Sequence, residues 1–294
     1  MIYEIAHVTT YKYEAPVASA HCVLRLSPRG DDGQTVLARR IDVAPQAAQL
    51  MERIDFFGNA VCEKRILTPH VSLEIALRAR VRVERAPPPA PALTPTWESI
   101  AAWAAASTSL AAASPAHFLF PSRLVALFPG ATDYARESFP PRRPILEGAA
   151  ELMRRIQADF AYDPQATEVE TPLGEAFARR SGVCQDFAHI MIAGLRGLGL
   201  PAAYVSGYLR TIPAPGRTLQ GGVDSTHAWA TVWCGPQFGW KGLDPTNGLL
   251  VEDDHIVIAV GRDYADVSPV DGVLRGAGRQ KLDVSVDVRA VTGT

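Results

Sequence analysis

Hydrophobic and polar positions alternate over most of the first 85 residues. The segments EIAHVTTYKYE, HCVLRLSPRG, TVLARRIDVAP, ERIDFFGNAVCEKRIL and VSLEIALRARVRVER are short, rich in β-branched residues and close to period two. That is the pattern of strands with one buried face. Turn residues separate them at Ser27-Pro28-Arg29-Gly30, Asp31-Asp32-Gly33 and Phe57-Gly58-Asn59. An N-terminal antiparallel β-sandwich-like domain is expected over 1–85. The run APPPAPALTP at 86–95 breaks the alternation and reads as a stiff linker.

From about 96 to 160 apolar residues recur at spacings of three and four, as in TWESIAAWAAASTSL and ILEGAAELMRRIQADF, and helices are expected there. TPLGEAFARR opens another helix, with Thr171 as N-cap and Pro172 at the first helical position. Next comes RRSGVCQDFAHIMIAGLRGLGLPAAYVSGY. Counted from Cys184, residues Phe187, Ala188, Met191, Ile192, Leu195 and Leu198 share one stripe, so this helix packs inward. Gly199 and Pro201 supply its stop signal. Beyond 200 the strand pattern returns in AAYVSGYLR, THAWATVWC, GWKGLDPT, HIVIAVGRDY and KLDVSVDVRAV. The expected fold class is α+β, with helices first and an antiparallel sheet after them. The division is a β domain at 1–85, a Pro/Ala-rich linker and helical segment at 86–140, and an α+β domain at 141–294.

Composition narrows the function classes. Of 294 residues, 47% are hydrophobic and 20% charged, and the net charge is −2. This is an ordinary globular balance without the basic footprint of a nucleic-acid binder. No run of 18 apolar residues suggests a membrane segment, and the alternating N-terminus lacks the h-region of a signal peptide. The expectation is a soluble cytoplasmic protein with no nucleic-acid or membrane partner. Its four cysteines (Cys22, Cys62, Cys184 and Cys234) would then be reduced thiols. None forms a CxxC pair, so a structural zinc site has little support.

Cys184 stands where the long apolar helix begins. Free N–H groups and the macrodipole at that end favour a thiolate and can stabilise an oxyanion. Asp186 opposes the thiolate unless it is turned away or paired. His189 lies about 140° round the helix from Cys184 and is poorly placed as a base. His227 is better placed. It opens a strand on which His227, Trp229, Thr231 and Trp233 share a face. A turn at Gly235-Pro236-Gln237 returns GWKGLDP as the partner strand and brings Asp244 near His227, within a residue or two of register. Cys, His and Asp so arranged make a nucleophile, a base and its orienter. A metal site from His189, His227 and Asp244 has no supporting ligand spacing. Cys22, Cys62 and Cys234 read as packing thiols, and Trp229 and Trp233 as core or cleft wall.

The stretches GVCQDFAHIMIAGLRGLGLPAAYVSGYL, THAWATVW and GWKGLDPTNG, in that order, resemble the three core motifs of the bacterial transglutaminase-like superfamily. HVTTYKYEAPV and RIDFFGNAV resemble that group's N-terminal β domain, and HIVIAVGRDYADVSPVDGV its C-terminal segment. The resemblance implies a papain/transglutaminase-like core with a Cys184-His227-Asp244 triad and acyl transfer through a thioester, without a cofactor. Calcium-dependent animal transglutaminases have Trp directly after the cysteine, where this chain has Gln185, and nothing resembles their calcium loops. The departure favours hydrolysis or a small-amine acceptor over calcium-switched cross-linking, and the expected function is a cysteine-dependent amide-bond hydrolase acting on a peptide or protein amide. An acyltransferase joining an amine to an acyl donor, and a non-catalytic peptide-binding module, are the alternatives. Candidate oxyanion groups are the Cys184 backbone N–H and the Gln185 side chain, and Trp229 is a candidate wall of the substrate groove.

Overall fold

Alternating burial along the N-terminal strands builds two four-stranded antiparallel sheets. The computed structural model describes residues 1–31, 33–210 and 226–291; Asp32, expected in a turn, lies outside them. The first strands are β1 (Ile2–Val17), β2 (Ser19–Leu24), β3 (Gln34–Ala44), β4 (Gln49–Ile54), β5 (Ala60–Ile66) and β6 (His70–Val83). In β6, Leu73, Ile75, Leu77, Val81 and Val83 are buried while Glu74, Arg78, Arg80 and Arg82 face outward, as a pleated strand with one wet face requires.

Residues 86–95 contain only a single short turn of 3-10 helix, Pro91–Leu93. Then follow α1 (Trp97–Ala105), α2 (Pro129–Arg136), α3 (Ile145–Asp159), β7 (Ala161–Tyr162), α4 (Leu173–Arg179), β8 (Ser181–Gly182) and α5 (Cys184–Gly197). The α1 helix stops well short of residue 110, because Ser107, Thr108 and Ser109 compete for backbone hydrogen bonds. The α4 helix starts one residue later than its sequence suggests. Pro172 is the cap position, and the Thr171 hydroxyl instead accepts from the Glu168 N–H. The C-terminal strands are β9 (Ala202–Leu209), β10 (Thr226–Trp233), β11 (Trp240–Asp244), β12 (Leu249–Leu250) and β13 (His255–Gly261). After α6 (Tyr264–Val267) come β14 (Val270–Arg275) and β15 (Gln280–Val291).

Strands β12-β11-β10-β9-β13 form one antiparallel sheet. The buried α5 helix lies against β9 and β10 on one side and against α2, α3 and α4 on the other. The other two sheets have the orders β15-β1-β6-β3 and β14-β2-β5-β4. The last two strands therefore pair with β1 and β2, not with the five-stranded sheet that precedes them. Periodicity identifies a strand but carries no information on its partner, so the grouping of 270–291 with the preceding α+β segment differs from the observed pairing. No helix among the described residues is long and apolar enough to cross a membrane.

Candidate active site

The chain enters α5 through a fixed path. A parallel pair of residues, Ala161 with Ser181 and Tyr162 with Gly182, joins β7 to β8, and the Asp163 N–H donates to the Gly182 carbonyl. The Ser181-Gly182 entry is thus held in a ladder. Cys184 follows as the first residue of α5 and is half-buried. The helix ends as expected, with Gly199 at φ 76° and the Leu200 N–H returning to the Leu195 carbonyl.

The anticipated conflict with Asp186 is resolved by pairing. Its buried carboxylate accepts from the Val183 N–H at 2.9 Å and from the Thr167 hydroxyl at 2.6 Å. This engages one carboxylate oxygen with the helix entrance. Gly182 makes room for it: a Cβ there would come within 2.5 Å of Oδ2.

The register of β10 and β11 pairs Ala230 with Leu243, so Asp244 falls diagonal to His227 on the same face. His227 Nε2 donates to Asp244 Oδ2 at 2.8 Å. An ionised carboxylate only accepts, so Nε2 carries the proton and Nδ1 is the nitrogen left for sulfur. The Cys184 side chain lies near enough to the same ring to raise its pKa. Burial alone would lower the pKa of His227. The hydrogen bond to Asp244 and the nearby Cys184, with the charges of both, push it up to about 10 instead. For Asp244 burial alone would raise the pKa. Hydrogen bonds from His227 and His255, the His227 charge and the Asn247 amide hold the carboxyl far below the usual range.

Asp244 is fully buried and accepts five donors. Besides His227, Oδ2 takes the Asn247 amide at 2.7 Å and His255 Nε2 at 3.2 Å. The backbone N–H groups of Thr246 and Asn247 reach Oδ1 at 3.0 and 3.1 Å. The sequence DPTN is thus an Asx-type turn that saturates its own carboxylate. Sequence reasoning passed over Asn247 and His255. The available signal for His255 was a polar residue opening the otherwise apolar strand HIVIAVG.

The other sequence candidates lie around this centre. The Gln185 amide donates to the Val169 carbonyl at 3.1 Å, which ties it to the loop before α4. Trp229 is 1% exposed and packs behind the histidines, with ring centroids 6.1 Å from His227 and 5.2 Å from His255. His189 is buried and accepts from the Tyr264 N–H. Cys22, Cys62 and Cys234 are buried, and burial raises each thiol pKa, that of Cys22 to about 11 and that of Cys234 to about 12.

An imidazole between a helix-tip thiol and a buried carboxylate can hold the thiol proton and deliver it to a leaving group. The sequence and the fold also match known proteins. Residues 3–82 match the bacterial transglutaminase-like N-terminal region, and residues 132–245 match the transglutaminase-like superfamily. The chain is 38% identical over 291 residues to an uncharacterized protein of Mycobacterium tuberculosis, covering 97% of this chain and 92% of that one. A Pseudomonas aeruginosa protein-glutamine gamma-glutamyltransferase is 38% identical over 108 residues, 35% of this chain and 16% of that one. A solved Cytophaga hutchinsonii structure, described as a cysteine-protease candidate, superposes with TM-score 0.74 at 19% identity, covering 100% of this chain and 92% of the other. The chain belongs to the transglutaminase-like superfamily of papain-like cysteine enzymes, and it carries the bacterial transglutaminase-like N-terminal region.

Proposed function

We propose that the protein hydrolyses an amide bond in a peptide or protein through a thioester on Cys184. The observation that carries the reading is His227, hydrogen-bonded to the buried Asp244 and near enough to Cys184 at the start of α5 for that residue to raise its pKa. In this mechanism His227 takes the thiol proton, and Asp244 stabilises the resulting imidazolium. The thiolate attacks the amide carbonyl, and the backbone N–H of Cys184 at the start of α5 stabilises the oxyanion. His227⁺ then protonates the departing amine. A water molecule, deprotonated by His227, cleaves the thioester and regenerates the thiol. The scheme uses no cofactor.

Amine transfer is the second reading, and the similarity of 108 residues to a protein-glutamine gamma-glutamyltransferase favours it. It differs only in the nucleophile that resolves the thioester. Incubation with a glutamine-containing peptide, with and without a primary amine, separates the two by products. Hydrolysis yields free acid at an undiminished share when amine is present; dominant amide exchange gives the result to transfer. Both fall if Cys184 alkylates with iodoacetamide no faster than a model thiol at neutral pH and His227→Ala leaves the rate unchanged. A binding module without turnover is then what remains.

A further inference from the structure

The face of the five-stranded sheet that carries Trp229 and Thr231 bounds a cavity of about 420 Å³. Phe57, from the turn between β4 and β5, and Phe118, between α1 and α2, form further walls with Trp240. The cavity therefore lies where the N-terminal sheets, the helical segment and the five-stranded sheet meet. Its rings already pack edge to face, with Phe118 and Trp240 centroids 5.1 Å apart at 77°. The volume falls in the range of small-molecule sites, which combine apolar walls with a few polar groups.

Two polar groups here have no partner among the described residues. Both residues line the cavity, and among the described residues neither the indole N–H of Trp229 nor the hydroxyl of Thr231 makes a hydrogen bond, although the side chains are largely buried. An indole N–H and a hydroxyl that face a cavity are donors a ligand acceptor can take up. Trp240, in contrast, donates its N–H to the Ala113 carbonyl at 3.1 Å. The two guanidinium groups of the lining are engaged: that of Arg29 by Asp31, the Phe57 carbonyl and Asn59, and that of Arg85 by the Glu252 and His255 carbonyls. An apolar chamber with two unpaired donors, whose guanidinium groups are already engaged, suits a neutral acceptor on a flat body.

We propose that this cavity is a binding site for a neutral small molecule with an aromatic body and one carbonyl acceptor. The ring faces meet the walls, and the acceptor takes the N–H of Trp229 and the hydroxyl of Thr231. The site is separate from the Cys184 thiol and stands whether or not the triad turns over. It is nevertheless coupled to it, because Trp229 packs against both His227 and His255. Gly207, paired with His227 in the neighbouring strand, makes room for that packing, since a Cβ there would come within 2.2 Å of the Trp229 six-membered ring.

Benzamide is the probe, and the indole N–H resonance of Trp229 in ¹⁵N-labelled full-length Cys184→Ala protein is the reporter, assigned with Trp229→Phe. The expected result is a saturable shift of that resonance. Ala112→Phe, which fills the cavity from its loop wall, abolishes the shift. Thr231→Val, which removes only the hydroxyl, weakens binding about three- to tenfold, the worth of one hydrogen bond. Thermal unfolding of each variant shows whether it is folded; if Ala112→Phe is not, Ala113→Phe, on the same wall, replaces it. No saturable shift up to the solubility limit of benzamide overturns the site. So does a shift that the filling substitution leaves intact, which locates binding elsewhere. An unchanged affinity in Thr231→Val overturns the role of the hydroxyl as recognition group.

Discussion

Asp244 decides how His227 titrates. Five donors converge on this carboxylate, and its charge is a main reason that the His227 pKa lies near 10 and not below its ordinary value. The sign of the consequence is definite. A histidine with a raised pKa stays protonated until the pH approaches that value, so the imidazolium that protonates the departing amine is lost as pH rises through about 10. Asp244→Asn keeps the shape and removes the charge. The alkaline limb of kcat/KM against pH is then expected to move down by at least about one unit, with kcat falling about 10²-fold or more at the optimum. An unmoved limb would show that the carboxylate does not control the base. Cys184, His227 and Asp244 were legible in the sequence because each stands at a recognisable element boundary: a helix start, a strand start, a strand end before proline. His255 was not, because its contact with Asp244 depends on β13 lying two strands away from β10, on the far side of β9.

At the scale of elements, the entry to α5 depends on a residue two positions before the ladder closes. Arg180 ends α4 in the left-handed conformation at φ 54°, which costs a non-glycine residue about 1–2 kcal/mol. Its guanidinium lies 4.8, 4.6 and 4.5 Å from the ring centroids of Tyr134, Phe160 and Phe177. These contacts join α2, α4 and the end of α3, and they offset the strain. Arg180→Ala loses the rings and keeps the strain, so urea unfolding should show a loss of about 2 kcal/mol. Arg180→Gly should recover about 1 kcal/mol of that loss, and wild-type stability in Arg180→Ala would remove the cage from the account. Alternation and three-four spacing made β1, β6, α3 and α5 readable in advance. The Arg180 cage was not, since it is assembled from three helices and local pattern says nothing about how they pack.

Across the whole molecule, the N-terminal sheets are tied to the core through a buried polar bridge. His7 in β1 donates from Nδ1 to the Tyr208 hydroxyl in β9 at 2.9 Å, and Tyr208 in turn donates toward the Leu26 carbonyl. The Thr9 hydroxyl donates to the other ring nitrogen of His7 at 3.0 Å. That network is satisfied only while the imidazole is neutral, and burial lowers the His7 pKa to about 4. Because the folded pKa lies below the unfolded value of about 6.5, the unfolded chain takes up a proton first as the medium is acidified. Stability is therefore complete above about pH 6.5 and falls progressively toward pH 4, by about 3 kcal/mol if the whole shift is expressed. His189, also lowered to about 4 by burial, acts in the same direction, so the contribution of His7 must be read as a difference. His7→Gln retains a donor for Tyr208 and cannot titrate. Its unfolding free energy, followed by urea denaturation from pH 7 to pH 4, should fall about half as steeply as that of the wild type. Equal slopes would mean that the bridge between β1 and β9 opens to water before it titrates, and that the hydrogen bonds of Gln34 and Asn59 to β13 hold the two parts of the molecule together without it.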